Sequence, residues 1–419
     1  MATLQSDRSA PAANRRIRTY VDCVVVGLLV VSFWCAYAFE VRARTDTPPP
    51  NMPLAEGRSL FEAKGCIQCH SVWGGDGQPR VGPDLGRSTA WNDIPQFTAS
   101  LWNHLPAMSA AWRERGITQP TMSPTEMTQL TAYLFYARFL DEPGDVERGR
   151  EVFEQRLCAR CHQVGGRGGT IASRLDAFKD SISPLFLAQA LWNHGPETAA
   201  KLAELQLAWP HLESDDVANI SCFISGGVRG PSSMDWAQVQ GGNPASGKAL
   251  FEGKGCGRCH AVSGVGGTAG PDLGQPRTAQ RAGQMAAALW NHGPKMWAKM
   301  KQEGIPLPTF TEREMSDLLA YLYFLQYTGE SGDVTKGAQV FRARACSQCH
   351  SIGEGGPTVG PDLSTSSALQ SPADWTAAVW SHVPAMAAKA QQEQIAWPRF
   401  EGEEMRDLIA FLRSRRATK

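Results

Sequence analysis

The chain has no excess of charge of either sign. Lysine plus arginine and aspartate plus glutamate number 41 each in 419 residues, so the formal net charge at pH 7 is zero. That composition argues against nucleic-acid binding and against strong long-range steering of a charged partner. Long apolar runs are also missing, with one exception at Val21 to Phe39. Cysteine is scarce outside one repeated pattern: of 11 cysteines, only Cys23, Cys35 and Cys222 stand apart from it. Small buried thiols account for these three, and no disulfide framework is indicated. No cluster of acids, bases or cations suited to catalysis stands out.

The repeated pattern is Cys-x-x-Cys-His. It occurs as Cys66–Cys69–His70, Cys158–Cys161–His162, Cys256–Cys259–His260 and Cys346–Cys349–His350, with successive copies 92, 98 and 90 residues apart. This spacing lets two thiols add across the two vinyl groups of one haem while the adjacent histidine lies under the iron. Four covalently bound haems c are therefore expected, each in a unit of about 90 residues. Units that short bury a small fraction of their surface, and a porphyrin supplies the missing apolar contact.

The run Val21 to Phe39 is 19 residues long with one charge, Asp22, at its edge. As a helix it nearly matches a hydrocarbon core of about 30 Å. Arg8, Arg15, Arg16 and Arg18 precede it, which favours an inside N-terminus, and Trp34 and Tyr37 suit the outer interface. Ala36-Tyr37-Ala38 has the form of a signal-peptide cleavage site. The run exceeds a usual signal core, so an uncleaved anchor is the favoured reading. Either reading exports the rest of the chain, to the periplasmic side of a cytoplasmic membrane. The proline-rich Thr47 to Pro53 is a stiff spacer. The expected organisation is a cytoplasmic segment 1–20, an anchor 21–39, a spacer 40–53, units at 54–142, 143–228, 245–329 and 330–419, and a linker at 229–244. The long middle linker suggests that the units pair as one with two and three with four.

Similarity among the units extends beyond the cysteines. Each opens with Gly-x-x-x-Phe: Gly57 and Phe61, Gly149 and Phe153, Gly247 and Phe251, Gly337 and Phe341. The phenylalanine lies five residues before the first cysteine in all four. Each closes with an expected helix bearing Tyr133, Phe223, Tyr321 or Phe411. A glycine in the first helix admits close approach of the last, so these residues read as scaffold.

In these features the chain resembles the class I cytochrome c family, four times over from about residue 52 to the end. The resemblance implies a mainly α fold with each haem in a cleft and one edge exposed. Gly-Pro-Asp-Leu follows the haem motif at Gly82–Leu85, Gly270–Leu273 and Gly360–Leu363. In that family the proline carbonyl here takes the imidazole N–H, which assigns the role to Pro83, Pro271 and Pro361. Unit two has Thr170-Ile171-Ala172-Ser173 instead, which puts its proximal support in doubt.

The family takes its distal methionine from a Met-Pro step before the last helix. This chain keeps Pro120, Pro210, Pro308 and Pro398 but precedes them with Gln119, Trp209, Leu307 and Trp397, none a ligand for haem iron. Another element lies about 15 residues earlier, as Trp-Asn-His104, Trp-Asn-His194, Trp-Asn-His292 and Trp-Ser-His382. Each histidine is 23 residues before Met127, Val217, Met315 or Met405. Four residues after it come Met108, Thr198, Met296 and Met386. Two assignments stay open. Met108, Met296 and Met386 would give His/Met haems of raised potential, with His194 serving unit two. His104, His194, His292 and His382 would give four bis-His haems. A third reading has the histidine capping a helix end or bonding a haem propionate, and the methionine in the core.

The function that follows is electron transfer by a membrane-anchored tetrahaem cytochrome between a redox donor and an acceptor. The alternatives are a cytochrome c subunit of a larger respiratory or photosynthetic complex, and a haem enzyme with an open site at haem two.

Overall fold

The computed structural model describes residues 54–74, 80–213, 215–227, 241–275, 281–327, 331–357 and 359–416. The expected anchor 21–39, the spacer 40–53 and most of the linker 229–244 lie outside the described residues. Among the described residues, no helix is long and apolar enough to cross a membrane.

One three-helix unit is built four times. Unit one has α1 (Leu54–Ala63), α2 (Ile94–Glu114) and α3 (Pro124–Phe139). Unit two has α4 (Val146–Gln155), α5 (Pro184–Glu204) and α6 (Asp216–Ser225). Unit three has α7 (Pro244–Gly253), α8 (Ala282–Gln302) and α9 (Glu312–Phe324). Unit four has α10 (Val334–Ala343), α11 (Pro372–Gln392) and α12 (Glu404–Ser414). Helix starts are set by side chains that accept otherwise unpaired N–H groups. Asp93 accepts from Gln96 N at 2.8 Å, and Ser123 with Glu126 forms a reciprocal box, as does Thr311 with Glu314.

The first and last helices of each unit cross at the glycine. A Cβ on Gly57, Gly149, Gly247 or Gly337 would run into a backbone carbonyl of the last helix: Gln129, Asn219, Asp317 or Asp407. The closing aromatic lies one turn on, and its ring meets the phenylalanine of the first helix. Centroids are 6.1 Å apart for Phe61–Tyr133, 5.6 Å for Phe153–Phe223, 5.7 Å for Phe251–Tyr321 and 5.8 Å for Phe341–Phe411. An ion pair also closes each unit: Lys64–Glu126, Arg156–Asp216, Lys254–Glu314 and Arg344–Glu404, at 2.7–3.0 Å.

The middle helix is 21 residues long in every unit and carries an interior proline: Pro106, Pro196, Pro294 or Pro384. The histidine two residues earlier is therefore mid-helix and does not cap a helix end. Proline cannot donate to the carbonyl four residues back. That carbonyl belongs to Trp102, Trp192, Trp290 or Trp380. Freed from the helix, the Trp380 carbonyl accepts from Gln119 Nε2 at 2.8 Å and the Trp290 carbonyl from Trp209 Nε1 at 3.2 Å.

Both of those bonds run between units, and they show that the units pair one with four and two with three. The expected pairing of chain neighbours is overturned. The middle helices α2 and α11 face each other, as do α5 and α8. In the one–four pair, Trp102 Nε1 donates to the Pro398 carbonyl at 2.8 Å and Trp380 Nε1 to that of Pro120 at 2.7 Å. In the two–three pair, Trp192 donates to Pro308 at 2.8 Å and Trp290 to Pro210 at 2.7 Å. Asn193 exchanges two bonds with the backbone of Phe310, Asn291 with Leu212 and Asn103 with Phe400. Stacked indoles fill the seams, Trp102 on Trp397 at 4.6 Å and Trp209 on Trp290 at 4.0 Å. Linker length misleads here because loop closure varies slowly with length, whereas each seam satisfies several buried polar groups at once.

The two pairs meet through units one and three. Tyr323 Oη donates to the Phe135 carbonyl at 3.0 Å, and Ile94 N to that of Tyr327 at 2.9 Å. The rings of Phe135 and Tyr327, and of Phe139 and Tyr323, lie 4.9 and 5.0 Å apart. One apolar core thereby runs through all four units.

Replacing Gly247 with alanine forces a methyl against the Asp317 carbonyl and the Tyr321 Cβ. Overpacking of this kind costs about 1–3 kcal/mol, and thermal denaturation of the haem-loaded protein should show a lowered midpoint.

Candidate haem-binding sites

Each Cys-x-x-Cys-His motif follows the first helix of its unit after one residue in the left-handed region. That residue is Gly65 at φ 76°, Leu157 at 67°, Gly255 at 83° or Ala345 at 61°. A left-handed residue ends a helix and turns the chain, a role glycine fills at least cost. The cysteines then occupy a single helical turn, with the histidine N–H bonded to the first cysteine's carbonyl at 2.9–3.0 Å in every unit. The turn sets both thiols and the imidazole on one short segment. The first cysteine of each motif packs against the core. Burial pushes the thiols of Cys66, Cys256 and Cys346 up to about 11, and that of Cys158 up to about 12. Cys69, Cys161, Cys259 and Cys349 are half-buried.

The motif histidine is held the same way in all four units. Nδ1 pairs with the carbonyl of Pro83 for His70, of Pro271 for His260 and of Pro361 for His350, each at 3.0 Å. For His162 the partner is the Ser173 carbonyl at 2.9 Å. Unit two thus keeps its proximal support, contrary to the doubt raised by its divergent segment. The acceptor is a backbone carbonyl, and any residue placed there supplies one. Fixing Nδ1 as the donor leaves Nε2 with the lone pair a metal needs. Burial also holds His70 below the usual imidazole range, against the opposing effect of the Pro83 carbonyl. The glycine of Gly-Pro-Asp-Leu is required by the ring itself, because a Cβ on Gly82, Gly270 or Gly360 would strike the imidazole of His70, His260 or His350.

The aspartate of the same segment ties down the loop behind the histidine. Asp84 accepts from Gly74 N at 2.6 Å, Trp73 N at 3.0 Å, Gly86 N at 2.9 Å and Ser71 Oγ at 3.1 Å. Asp272 accepts from Gly264, Gly274 and Ser263 N–H at 2.7–2.9 Å, and Asp362 from Ser364 and Gly353 N–H at 2.8 and 3.1 Å. Burial raises Asp84 and Asp272, but these donors outweigh it and both carboxyls lie below their ordinary range.

On the other side of the cleft is the middle helix. Tryptophan and histidine two positions apart on a helix project about 200° apart. Trp102 therefore turns to unit four while His104 turns back into unit one. The rings of His70 and His104 have centroids 6.2 Å apart, and those of His162 and His194 are likewise 6.2 Å apart. Two imidazoles on opposite sides of one iron, with bonds of about 2 Å, place their centres roughly 6 Å apart. The described residues of units one and two fit a six-coordinate haem on that measure. In units three and four the helix histidine is held differently: His292 Nδ1 bonds the Ala288 carbonyl at 2.8 Å and His382 Nδ1 that of Ala378 at 2.9 Å. Met108, Met296 and Met386 lie one turn further along the same helices, half-buried. The other recurring methionines, Met127, Met315 and Met405, are at most 1% exposed and belong to the core. The Met405 sulfur accepts from Trp375 Nε1 at 3.4 Å.

Two recurring roles escaped the sequence reading. The ion pairs that close each unit have a signal, a basic residue two places before the first cysteine. The loop prolines have none, because their role lies in another unit.

Asp84 supplies a pH test. A carboxyl depressed by folding contributes stability that is complete above its unfolded value of about 3.9 and is lost as pH falls through the lower folded value. Asp84→Asn should cost about 1.5–3 kcal/mol at pH 7 and flatten the loss of stability below pH 4, read from thermal melts across that range.

The sequence model of the family described as Cytochrome c matches the chain four times, over residues 54–136, 146–226, 244–326 and 334–416. A curated protein named Cytochrome bc1 complex cytochrome c subunit, from Corynebacterium diphtheriae, is 30% identical over 96 residues. That stretch is 23% of this chain and 32% of the relative, so the chain spans about a third of the relative's length. No solved structure matches the chain. With four matches in tandem, each around a motif whose cysteines and histidine are placed for covalent haem, the chain belongs to the cytochrome c family and carries four haems c.

Proposed function

We propose that the protein carries electrons on the periplasmic side of a cytoplasmic membrane, held there by an anchor at 21–39, and that it serves a quinol-oxidising complex. The ring pairs of units one and two carry the electron-transfer reading: His70 with His104 and His162 with His194 close both faces of their clefts. A closed iron exchanges electrons and does not bind substrate, so the reading of haem two as an open catalytic site loses its support. The name of the curated relative, a cytochrome c subunit of a bc1 complex, supports the choice of partner. Association with a complex would bring donor and carrier together without long-range steering, in keeping with the zero net charge.

The proximal ligands are His70, His162, His260 and His350. The distal ligands are His104 and His194 in units one and two, by ring spacing. In units three and four, where the described residues show no such ring contact between His260 and His292 or between His350 and His382, they are Met296 and Met386. His/Met ligation raises a haem's potential relative to bis-His, so haems three and four accept electrons from haems one and two.

The oxidised protein should show the near-infrared methionine-to-iron charge-transfer band. Met296→Leu should remove half of it and Met108→Leu none; loss of intensity with Met108→Leu would return the distal role in unit one to methionine. The reduced wild-type protein should not bind carbon monoxide at haem two, whereas His194→Ala should. For the partner, gentle detergent extraction of membranes should co-purify the chain with a quinol-oxidising complex; recovery of the chain alone in the soluble fraction would remove both the anchor and the partner.

A further inference from the structure

The four units touch one another in an order different from that in which the chain builds them. Unit four meets unit one, unit one meets unit three, and unit three meets unit two. We propose that electrons cross the protein in the unit order four, one, three, two, or its reverse, and not in chain order. This rests on the reading of the chain as an electron carrier with the distal ligands assigned above. At each step one electron leaves a ferrous iron and reduces the ferric iron of the next unit; no atom or proton is exchanged.

Two of the three steps are bridged from the segment that bears the axial histidine. In the one–four seam, Asn103 is bonded to His104 through the chain, and its amide exchanges hydrogen bonds with Phe400 N and O at 2.9 and 2.8 Å. Trp380, two residues before His382, reaches back to Pro120 at 2.7 Å. The two–three seam has two amide bridges: Asn193, next to His194, reaches Phe310, and Asn291, on the helix that carries Met296, reaches Leu212, all at 2.8–2.9 Å. In unit four the corresponding residue is Ser381, which bonds its own helix at Ala377. The two–three seam is thus bridged twice and the one–four seam once. Electronic coupling decays more slowly through covalent and hydrogen bonds than across a gap. The amides therefore couple the haem clefts on the two sides of each seam.

The step between the pairs uses a different contact. The Arg281 guanidinium, at the start of α8, lies 5.0 Å over the ring of Trp73, which follows His70 by three residues. Arg281 also pairs with Glu142 at 3.0 Å, and Asp141 accepts from Gly283 N at 2.8 Å. The first turn of the helix bearing His292 is thereby clamped to the loop behind His70. Units four and two are left as the two ends of the route.

The test uses the full-length, haem-loaded protein with a ruthenium photosensitiser on Val359→Cys. Val359 is 57% exposed and two residues from Pro361, which supports His350. Starting from the fully reduced protein, a flash-quench pulse removes one electron from haem four, and freeze-quench electron paramagnetic resonance follows the rise of each ferric signal. The ferric bis-His signal of unit one should grow as the His/Met signal of unit four decays, because the lower-potential haem of unit one donates to it. Adding Asn103→Leu with Trp380→Phe should slow arrival at unit one, and thermal melts and haem content check that the variant is folded. If that variant does not fold, Asn291→Leu, with the label moved to Ile171→Cys in unit two and used to inject an electron into the oxidised protein, asks the same of haems two and three. Arrival at unit three before unit one, or an unchanged rate in the folded seam variant, overturns the order. A haem that cannot be reversibly reduced would instead count against the carrier reading, so the two failures are distinguishable.

Discussion

The structure depends on a spacing of two residues on one helix. Tryptophan and histidine so placed face opposite sides, and the proline two residues further on frees the tryptophan carbonyl. The same helix can then wall a haem cleft on one side and dock to another unit on the other. Each seam holds indole N–H groups against proline carbonyls and amides against backbone, so its buried polar groups find partners only when two units meet. A unit by itself would leave its indole N–H and its loop proline carbonyl without those partners. The pairing of units is in this sense part of the fold of each unit.

This accounts for the absence of the usual methionine. The loop before the last helix, which in the class I pattern delivers a distal ligand, here delivers the carbonyls of Pro120, Pro210, Pro308 and Pro398 to a neighbour's indole. A loop committed to a seam does not also reach the iron of its own unit. In the ligation proposed above the distal role passes to the middle helix, where a turn of helix sets histidine and methionine on one face. Unit two shows how little of the sequence the proximal side requires. It has no Gly-Pro-Asp-Leu, yet the Ser173 carbonyl meets His162 as the prolines meet theirs.

Much of this was legible in the residues. The haem motifs, the four-fold repeat and the crossing of first and last helices at Gly57, Gly149, Gly247 and Gly337 could all be read from spacing. Each depends on residues of a single unit, where periodicity and offset carry the information. The histidines of the middle helix were recognised as candidates, but sequence could not separate them from the methionines one turn on. Both choices lie on the same helical face, and side-chain rotamer decides between them. The pairing of units was misread, because linker length says little about which distant surfaces fit.

The sequence by itself determined that four haems are bound and where, since covalent attachment needs two thiols and an imidazole at a fixed local spacing. It also determined that four copies of one helical unit would form around them. Only the tertiary structure decided that unit one joins unit four and unit two joins unit three, and that His104 and His194 face the motif histidines of their own units. The reason is that these outcomes rest on hydrogen bonds between residues as far apart as Asn103 and Phe400. No local pattern records such a pair; it exists only once both surfaces have formed.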